Sequence, residues 1–198
     1  MWRGILIETK EAILTRRSVR SYEDRTLPAE LLEEILEAGT YAPSAVNYQP
    51  WYFVAVQSQE AMEKLTGIMG RVSRKIEPSL QERFPTHPEV VAETTGFIRR
   101  LGNAPVCILA FALKPDYPKT AETIAQSVAA GIENMLLAAT DRGLGSCWLT
   151  APVETGMAAE LRDTFAPGKG ELLAVVTLGY AAQTPKAPPR KAGRYTII

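Results

Sequence analysis

Residues 105–113 read PVCILAFAL, an uncharged stretch with no polar side chain other than a thiol. A half-exposed strand alternates apolar and polar residues. A run with no polar positions has no face to give to water, so it belongs in an interior covered on both sides. Residues 175–180 (VVTLGY) close a second buried strand. Residues 51–56 (WYFVAV), rich in aromatic and β-branched residues, read as a third. Such strands need helical layers against them. The chain therefore reads as an α+β or α/β sandwich built on a central sheet.

The helices are recognisable from period and punctuation. Residues 9–17 suit a short helix with Thr9 as its N-cap. Pro28 suits a first helical turn, after which Leu31, Leu32, Ile35, Leu36 and Gly39 recur at helical spacing with glutamates opposite. Residues 60–69 and 89–101 read as two further helices. The intervening 78–88, with three prolines and the only histidine, reads as an irregular insert. Residues 120–142 form the longest helix, with small or apolar residues on nearly every side, so it is expected to be buried all round. A central position within one subunit or an oligomer interface would each satisfy that. No repeat or low-complexity block interrupts the chain, which reads as one domain over 1–198. Its end, 183–198, rich in Pro and Lys/Arg, reads as an extended C-terminal arm.

Several functions are excluded or disfavoured by what the chain carries. Its 198 residues balance 22 Lys and Arg against 22 Asp and Glu, which leaves no basic excess for nucleic acid and no polybasic patch for a membrane. The apolar runs are too short to span a bilayer, and the N-terminus lacks the apolar core and cleavage site of a signal peptide. Cys107 and Cys147 both lie in apolar surroundings and read as buried reduced thiols, which suits a cytoplasmic protein. His87, set between prolines, is the one imidazole available to a Ser-His-Asp or Cys-His mechanism, and zinc would need more ligands than one His and two Cys offer. There is no GxxxxGK[ST] phosphate loop. The run Gly143-Leu144-Gly145-Ser146-Cys147-Trp148 begins like a dinucleotide fingerprint, but it lacks the third glycine and follows a helix where that fingerprint follows a strand. Gly143 suits a helix C-cap, and Gly145 a close backbone approach.

Two polar runs remain. Arg16, Arg17 and Arg20 surround Ser18 at a helix end. Guanidinium groups suit phosphate because their planar fork makes paired charge-assisted bonds. They equally suit a solvated helix C-terminus. Between a helix and a strand, Ala42-Pro43-Ser44-Ala45-Val46-Asn47-Tyr48-Gln49-Pro50-Trp51 sets three hydrogen-bonding side chains, Ser44, Asn47 and Gln49, close together. They read either as turn and cap residues or as contacts to a polar ligand lying at the element junction.

Taken in order, these runs resemble the nitroreductase family of flavin mononucleotide (FMN) oxidoreductases. The matching residues are Arg16-Arg17-Ser18-Val19-Arg20, Ala42-Pro43-Ser44 with Asn47 and Gln49-Pro50-Trp51, Gly143 to Trp148 with Pro152, Leu178-Gly179-Tyr180, Pro185 and Arg190. The resemblance implies an α+β sandwich with a central, mainly antiparallel sheet flanked by helices, in a domain-swapped homodimer with FMN sites at the interface. It assigns Arg16 and Ser18 to the phosphate and ribityl end, with Arg17 assisting or facing solvent. Arg20 falls to the pyrimidine edge of the isoalloxazine. It brings Pro43, Ser44, Ala45 and Asn47 from the other subunit and leaves Gln49 structural. Leu149, Thr150, Pro152, Val153 and Glu154 match the loop near flavin N5. Arg190, or its neighbour Lys191, matches the basic phosphate ligand near the C-terminus. The implied reaction is ping-pong hydride transfer from NADH or NADPH through flavin N5 to an oxidised small molecule: a nitroaromatic, quinone, enone or flavin. The flavin carries the chemistry, so no catalytic side chain and no metal is needed. An FMN carrier or redox protein without nicotinamide turnover, and a flavin-dependent dehalogenase or flavin-fragmenting specialist, are the alternatives. Residues 64–103 usually shape the pocket mouth, where Phe84, Pro85, His87 and Phe97 form either a lid or plain surface packing.

Overall fold

The computed structural model describes residues 8–114 and 120–198. Among these, one sheet of four strands runs in the order β1-β2-β4-β3, every neighbouring pair antiparallel. The strands are β1 (Trp51–Val56), β2 (Val106–Ala112), β3 (Gly145–Leu149) and β4 (Glu171–Gly179). The central position of β2 and β4 follows from their sequences. In β2, Cys107, Leu109 and Phe111 enter one hydrophobic cluster, while Val106, Ile108 and Ala110 enter another on the opposite face. A register irregularity between Ala110 and Phe111 relaxes the β2–β4 ladder near its end.

Helices cover both faces. On one lie α3 (Gln59–Arg83), α4 (Pro88–Arg100), the short α6 (Ala151–Glu154) and α7 (Ala158–Phe165), contributing Leu65, Ile68, Met69, Val72, Phe97 and Leu161 to the core. On the other lie α2 (Ala29–Thr40) and α5 (Ala121–Asp141), contributing Leu32, Ile35, Val128, Ile132 and Met135. The remaining helix, α1 (Thr9–Thr15), packs along α5. The α2–α5 crossing is close because it is built on glycine. A Cβ on Gly131 would stand 2.9 Å from the Gly39 carbonyl oxygen.

Several sequence expectations are corrected. Thr9 is the first helical residue, and Glu8 holds the N-cap position without a side-chain cap bond. Residues 78–88 are not an irregular insert: α3 runs through Pro78 to Arg83, and α4 starts at Pro88. Pro78 lies on the exposed side of α3, where water can take the carbonyl its missing N–H leaves unpaired, while Val72 and Ser73 stay in the core. Residues 145–149, for which no strand was expected, form β3 after a Schellman stop in which Gly143 closes α5 as expected, the N–H of Leu144 reaching the carbonyl of Ala139 and that of Gly143 the carbonyl of Thr140. Within this chain α5 is not buried all round. Ser127, Val128, Gly131, Ile132, Met135, Leu136 and Ala139 are buried, Gln126 is exposed, and Ala130, Asn134 and Ala138 are half-buried.

Candidate functional site

The site begins where α1 stops. Arg16 leaves the helix with extended ψ, and residues 16–20 run parallel beside β3. The N–H of Val19 donates to the Ser146 carbonyl at 2.9 Å, pairing Ser18 with Ser146. The approach requires a glycine in β3, since a Cβ on Gly145 would lie 2.8 Å from the Val19 side chain. Gly102 does the same from below. With φ of +64°, it leaves no room for a Cβ, which would sit 2.4 Å from the Arg20 carbonyl oxygen.

A buried hydroxyl pair anchors the segment. The Tyr22 hydroxyl donates to the Val19 carbonyl at 2.8 Å and sits 2.7 Å from Thr177 Oγ1 on β4. Burial pushes the Tyr22 phenol well above its ordinary range, the Thr177 bond only partly offsetting it. Burial also pushes up the Cys147 thiol, against the opposing pull of Arg20, Ser18 and Arg16. The thiol therefore stays protonated beneath the arginine segment. Cys107, fully buried, is raised by desolvation alone. Both cysteines are free thiols, as expected.

The three arginines are held differently. Arg17 donates to the carbonyls of Leu14 and Arg16 at 2.8 and 2.7 Å, closing the C-terminus of α1. Arg20 lies over the Phe97 ring, 5.8 Å from its centroid, and donates to the Ser18 carbonyl at 3.4 Å. Arg16 pairs through Nε with Glu133 Oε1 of α5 at 3.5 Å.

Two cavities meet at Arg20. The first, about 410 Å³, is lined by Arg16, Arg17, Ser18, Arg20, Pro185, Lys186, Pro188 and Arg190. Its walls hold five cations and no carboxylate. The arm reaches it because Ala182 donates to the Ser21 carbonyl and Ala181 bridges Tyr22, which turns the arm back over residues 16–20. The second cavity, about 180 Å³, is mostly apolar and is lined by Ile76, Phe97, Ile98, Cys147, Trp148 and Leu149, with Arg20, Thr94, Thr150, Ala151 and Glu154. Thr150 Oγ1 donates to Glu154 Oε1 at 2.5 Å. An anionic group next to a flat apolar body would find both halves of its environment here.

Among the expected site residues, Arg16, Arg17, Ser18, Arg20 and Arg190 share the basic cavity, and Leu149, Thr150 and Glu154 share the apolar one with Arg20. Pro152 is buried and Val153 exposed, and neither lines either cavity. Pro43, Ser44, Ala45 and Asn47 stand apart from both. They form a tight turn in which Ser44 Oγ accepts from the Gln49 N–H at 2.9 Å, Asn47 Oδ1 accepts from Gln49 Nε2 at 3.1 Å, and the N–H of Ala45 donates to Ser127 Oγ at 3.3 Å. Val46, Asn47 and Gln49 all take left-handed φ, at 49°, 56° and 52°. For a β-branched valine that is a strained conformation. Val46 is also 71% exposed.

Sequence reasoning missed Lys186, Thr94 and Ile76 as lining residues, and Gly102, Tyr22 and Thr177 as supports. The glycine at 102 was a readable signal. The Tyr22–Thr177 pairing, across 155 positions, was not. Phe84 and Pro85 line a different cavity, between the end of α3 and the start of α4, whereas Phe97 reaches the Arg20 pocket. His87 is exposed and bonds Glu89 at 3.0 Å. Among the described residues there is no cluster able to hold a metal ion and no helix long and apolar enough to cross a membrane.

The protein is thus an antiparallel sheet sandwiched by helices, with an arginine-rich cavity beside a mostly apolar one. The Nitroreductase family profile matches residues 13–180, and the chain belongs to that family. Over 180 residues, 90% of this chain and 80% of the other, it is 31% identical to a protein of Methanothermobacter thermautotrophicus that carries the provisional name NADH dehydrogenase/NAD(P)H nitroreductase. It is 30% identical over 186 residues, 92% of this chain and 91% of the other, to an iodotyrosine deiodinase of Thermotoga neapolitana. A solved nitroreductase with bound FMN from Bacteroides fragilis superposes with a TM-score of 0.74 at 32% identity, covering 97% of this chain and 99% of that one.

Proposed function

We propose that the protein is an FMN-dependent oxidoreductase, with FMN phosphate in the basic cavity and the flavin ring in the apolar one. The observation that carries this reading is the acid-free lining of Arg16, Arg17, Ser18, Arg20, Lys186 and Arg190, which shares Arg20 with a mostly apolar slot. The donor set fits a phosphate dianion, which takes several guanidinium and hydroxyl donors at once. When bound, FMN would supply the redox chemistry, hydride transfer between NADH or NADPH and an oxidised small-molecule acceptor. Arg16, Arg190 and Lys186 neutralise the phosphate. Arg20, shared by both cavities, presents a cation to the edge of the ring where negative charge gathers on reduction, as preorganised electrostatics requires. Phe97, Ile98 and Leu149 exclude water from one side of the slot.

The reading extends to a homodimer. Ser44 and Asn47 reach a flavin only if a second copy of the chain brings them to it. The exposed Val46 beside them is an apolar side chain suited to such a contact.

The test is an absorbance spectrum of the purified protein with FMN, followed by anaerobic addition of NADH or NADPH. Bound flavin bands that bleach with either nicotinamide are expected. Flavin that binds but persists would favour a carrier or partner-reduced protein. No flavin binding would sink the proposal. The kinship with an iodotyrosine deiodinase keeps a dehalogenating specialist as the second reading. Turnover of a halogenated phenol well above that of a nitroaromatic or quinone would select it.

A further inference from the structure

Among the described ion pairs, Glu133 is the carboxylate paired with the arginine segment, and it meets Arg16 from outside the basic cavity. It projects from the middle of α5, pairs with Arg16 Nε at 3.5 Å, and is not among the residues lining the basic cavity. Arg16 needs such a support more than its neighbours do. Arg17 is fixed by two backbone carbonyls, and Arg20 by a ring and a carbonyl. Arg16 has left α1, so no helix rotamer restrains its long side chain. We propose that Glu133 is a positioning residue: it holds the Nε edge of Arg16 so that the guanidinium presents its two terminal nitrogens to the cofactor phosphate.

The proposal rests on the FMN reading given above and deepens it. A guanidinium has one edge through Nε and a fork of terminal nitrogens. A carboxylate on the edge leaves the fork free for the paired bonds that suit phosphate. Two effects oppose each other. Glu133 repels the phosphate, which weakens binding, and it orders a flexible ligand before the phosphate arrives, which strengthens binding. Ordering wins here, because the guanidinium stands between the two anions and because Glu133 faces solvent along its outer side, where water screens its charge. With Arg16 and Glu133 side chains 26% and 47% exposed, the pair itself adds little to folding, so its consequence belongs to binding.

The experiment measures FMN dissociation constants by flavin fluorescence for Glu133→Gln, Glu133→Ala, Arg16→Ala, Arg190→Ala and the double variant Arg16→Ala/Glu133→Ala, with apo melting as a fold check. Glu133→Ala should weaken FMN by roughly 3- to 5-fold. Glu133→Gln, which keeps a polar oxygen beside Nε and removes the charge, should weaken FMN less than Glu133→Ala does. In the double variant the Glu133 effect should vanish, because there is no Arg16 left to orient. Tighter binding by both Glu133 variants would overturn the proposal and make Glu133 a plain repeller. An unchanged Glu133→Ala beside a weakened Arg16→Ala would overturn it as well. If neither Arg16→Ala nor Arg190→Ala weakened FMN, the cofactor reading would fall first and the proposal with it.

Discussion

Residues 16–20 and residues 44–49 are the two polar runs of this chain, and the fold treats them in opposite ways. The first is held from every side: by Gly145 and Gly102 beneath it, by the Tyr22–Thr177 hydroxyls, and by the returning arm. Its side chains reach a cavity formed within one chain. The second spends its polar groups on its own turn, sits outside both cavities and carries three non-glycine residues in left-handed backbone. A site residue whose geometry is fixed by its own chain can be tested by affinity alone. One that is strained, exposed and idle within its chain must be tested by affinity and assembly together.

The largest effect expected on this comparison is at Arg16. Arg16→Ala removes a charge-assisted donor from the basic cavity and should cost about 1.5–3 kcal/mol of FMN binding free energy while leaving apo melting nearly unchanged. Isothermal titration with FMN checks this. An unchanged affinity would mean the well-held segment is a structural clamp and not a phosphate cradle.

Gly145→Ala comes next. The added Cβ meets Val19 at 2.8–2.9 Å, closer than real contacts allow, so residues 16–20 must shift off β3. Overpacking of this kind costs about 1–3 kcal/mol of stability. Chemical denaturation and FMN titration should both report the loss. A stable variant with normal affinity would show that the segment tolerates displacement, removing the contrast with the turn.

Asn47→Ala is expected to act more weakly, at about 1 kcal/mol of FMN affinity, and only through the assembled dimer. Light scattering alongside FMN titration distinguishes the cases. A folded monomer that holds FMN as tightly as the parent would refute the shared site and leave residues 44–49 as a turn.

The same contrast explains what the sequence disclosed. Residue type sufficed wherever chemistry was local. The uninterrupted apolar run of β2 had to be central. That Arg16, Ser18, Arg20 and Arg190 share one cavity was legible only through the family resemblance, since the residues alone suited a solvated helix end equally well. What depended on distant packing was not readable. Pro78 ends no helix because it happens to face solvent. β3 is a strand through its pairing with β4, which its short run did not announce, although the close approach at Gly145 was expected. The half-exposed side of α5 follows from a sheet and an α2 that occupy only one face of it. Lys186 enters the site by way of the arm's bridge at Ala181, which no periodicity announces.

The smallest effect near neutral pH is alkaline, and it separates the two regions by their buried acids. Tyr22 and Cys147 lie under residues 16–20, and Cys107 shares the same core. All three groups are raised by burial, so the folded chain keeps protons that the unfolded chain releases. Because the native state then binds more protons, stability must fall as pH rises through the unfolded values, near 8.5 for the thiols and 10 for the phenol. Between pH 7 and 8 the loss should be a few tenths of a kcal/mol. It should steepen toward about 1.4 kcal/mol per pH unit for each group titrating in the unfolded chain. Cys107→Ala should flatten the urea midpoint against pH from about 8.5 upward, and Tyr22→Phe only above about 10. Substitutions in residues 44–49, which hold no buried acid, should leave the slope untouched. A slope that moved with Asn47 and not with Tyr22 or Cys107 would mean that the turn, and not the arginine segment, is the region coupled to the core.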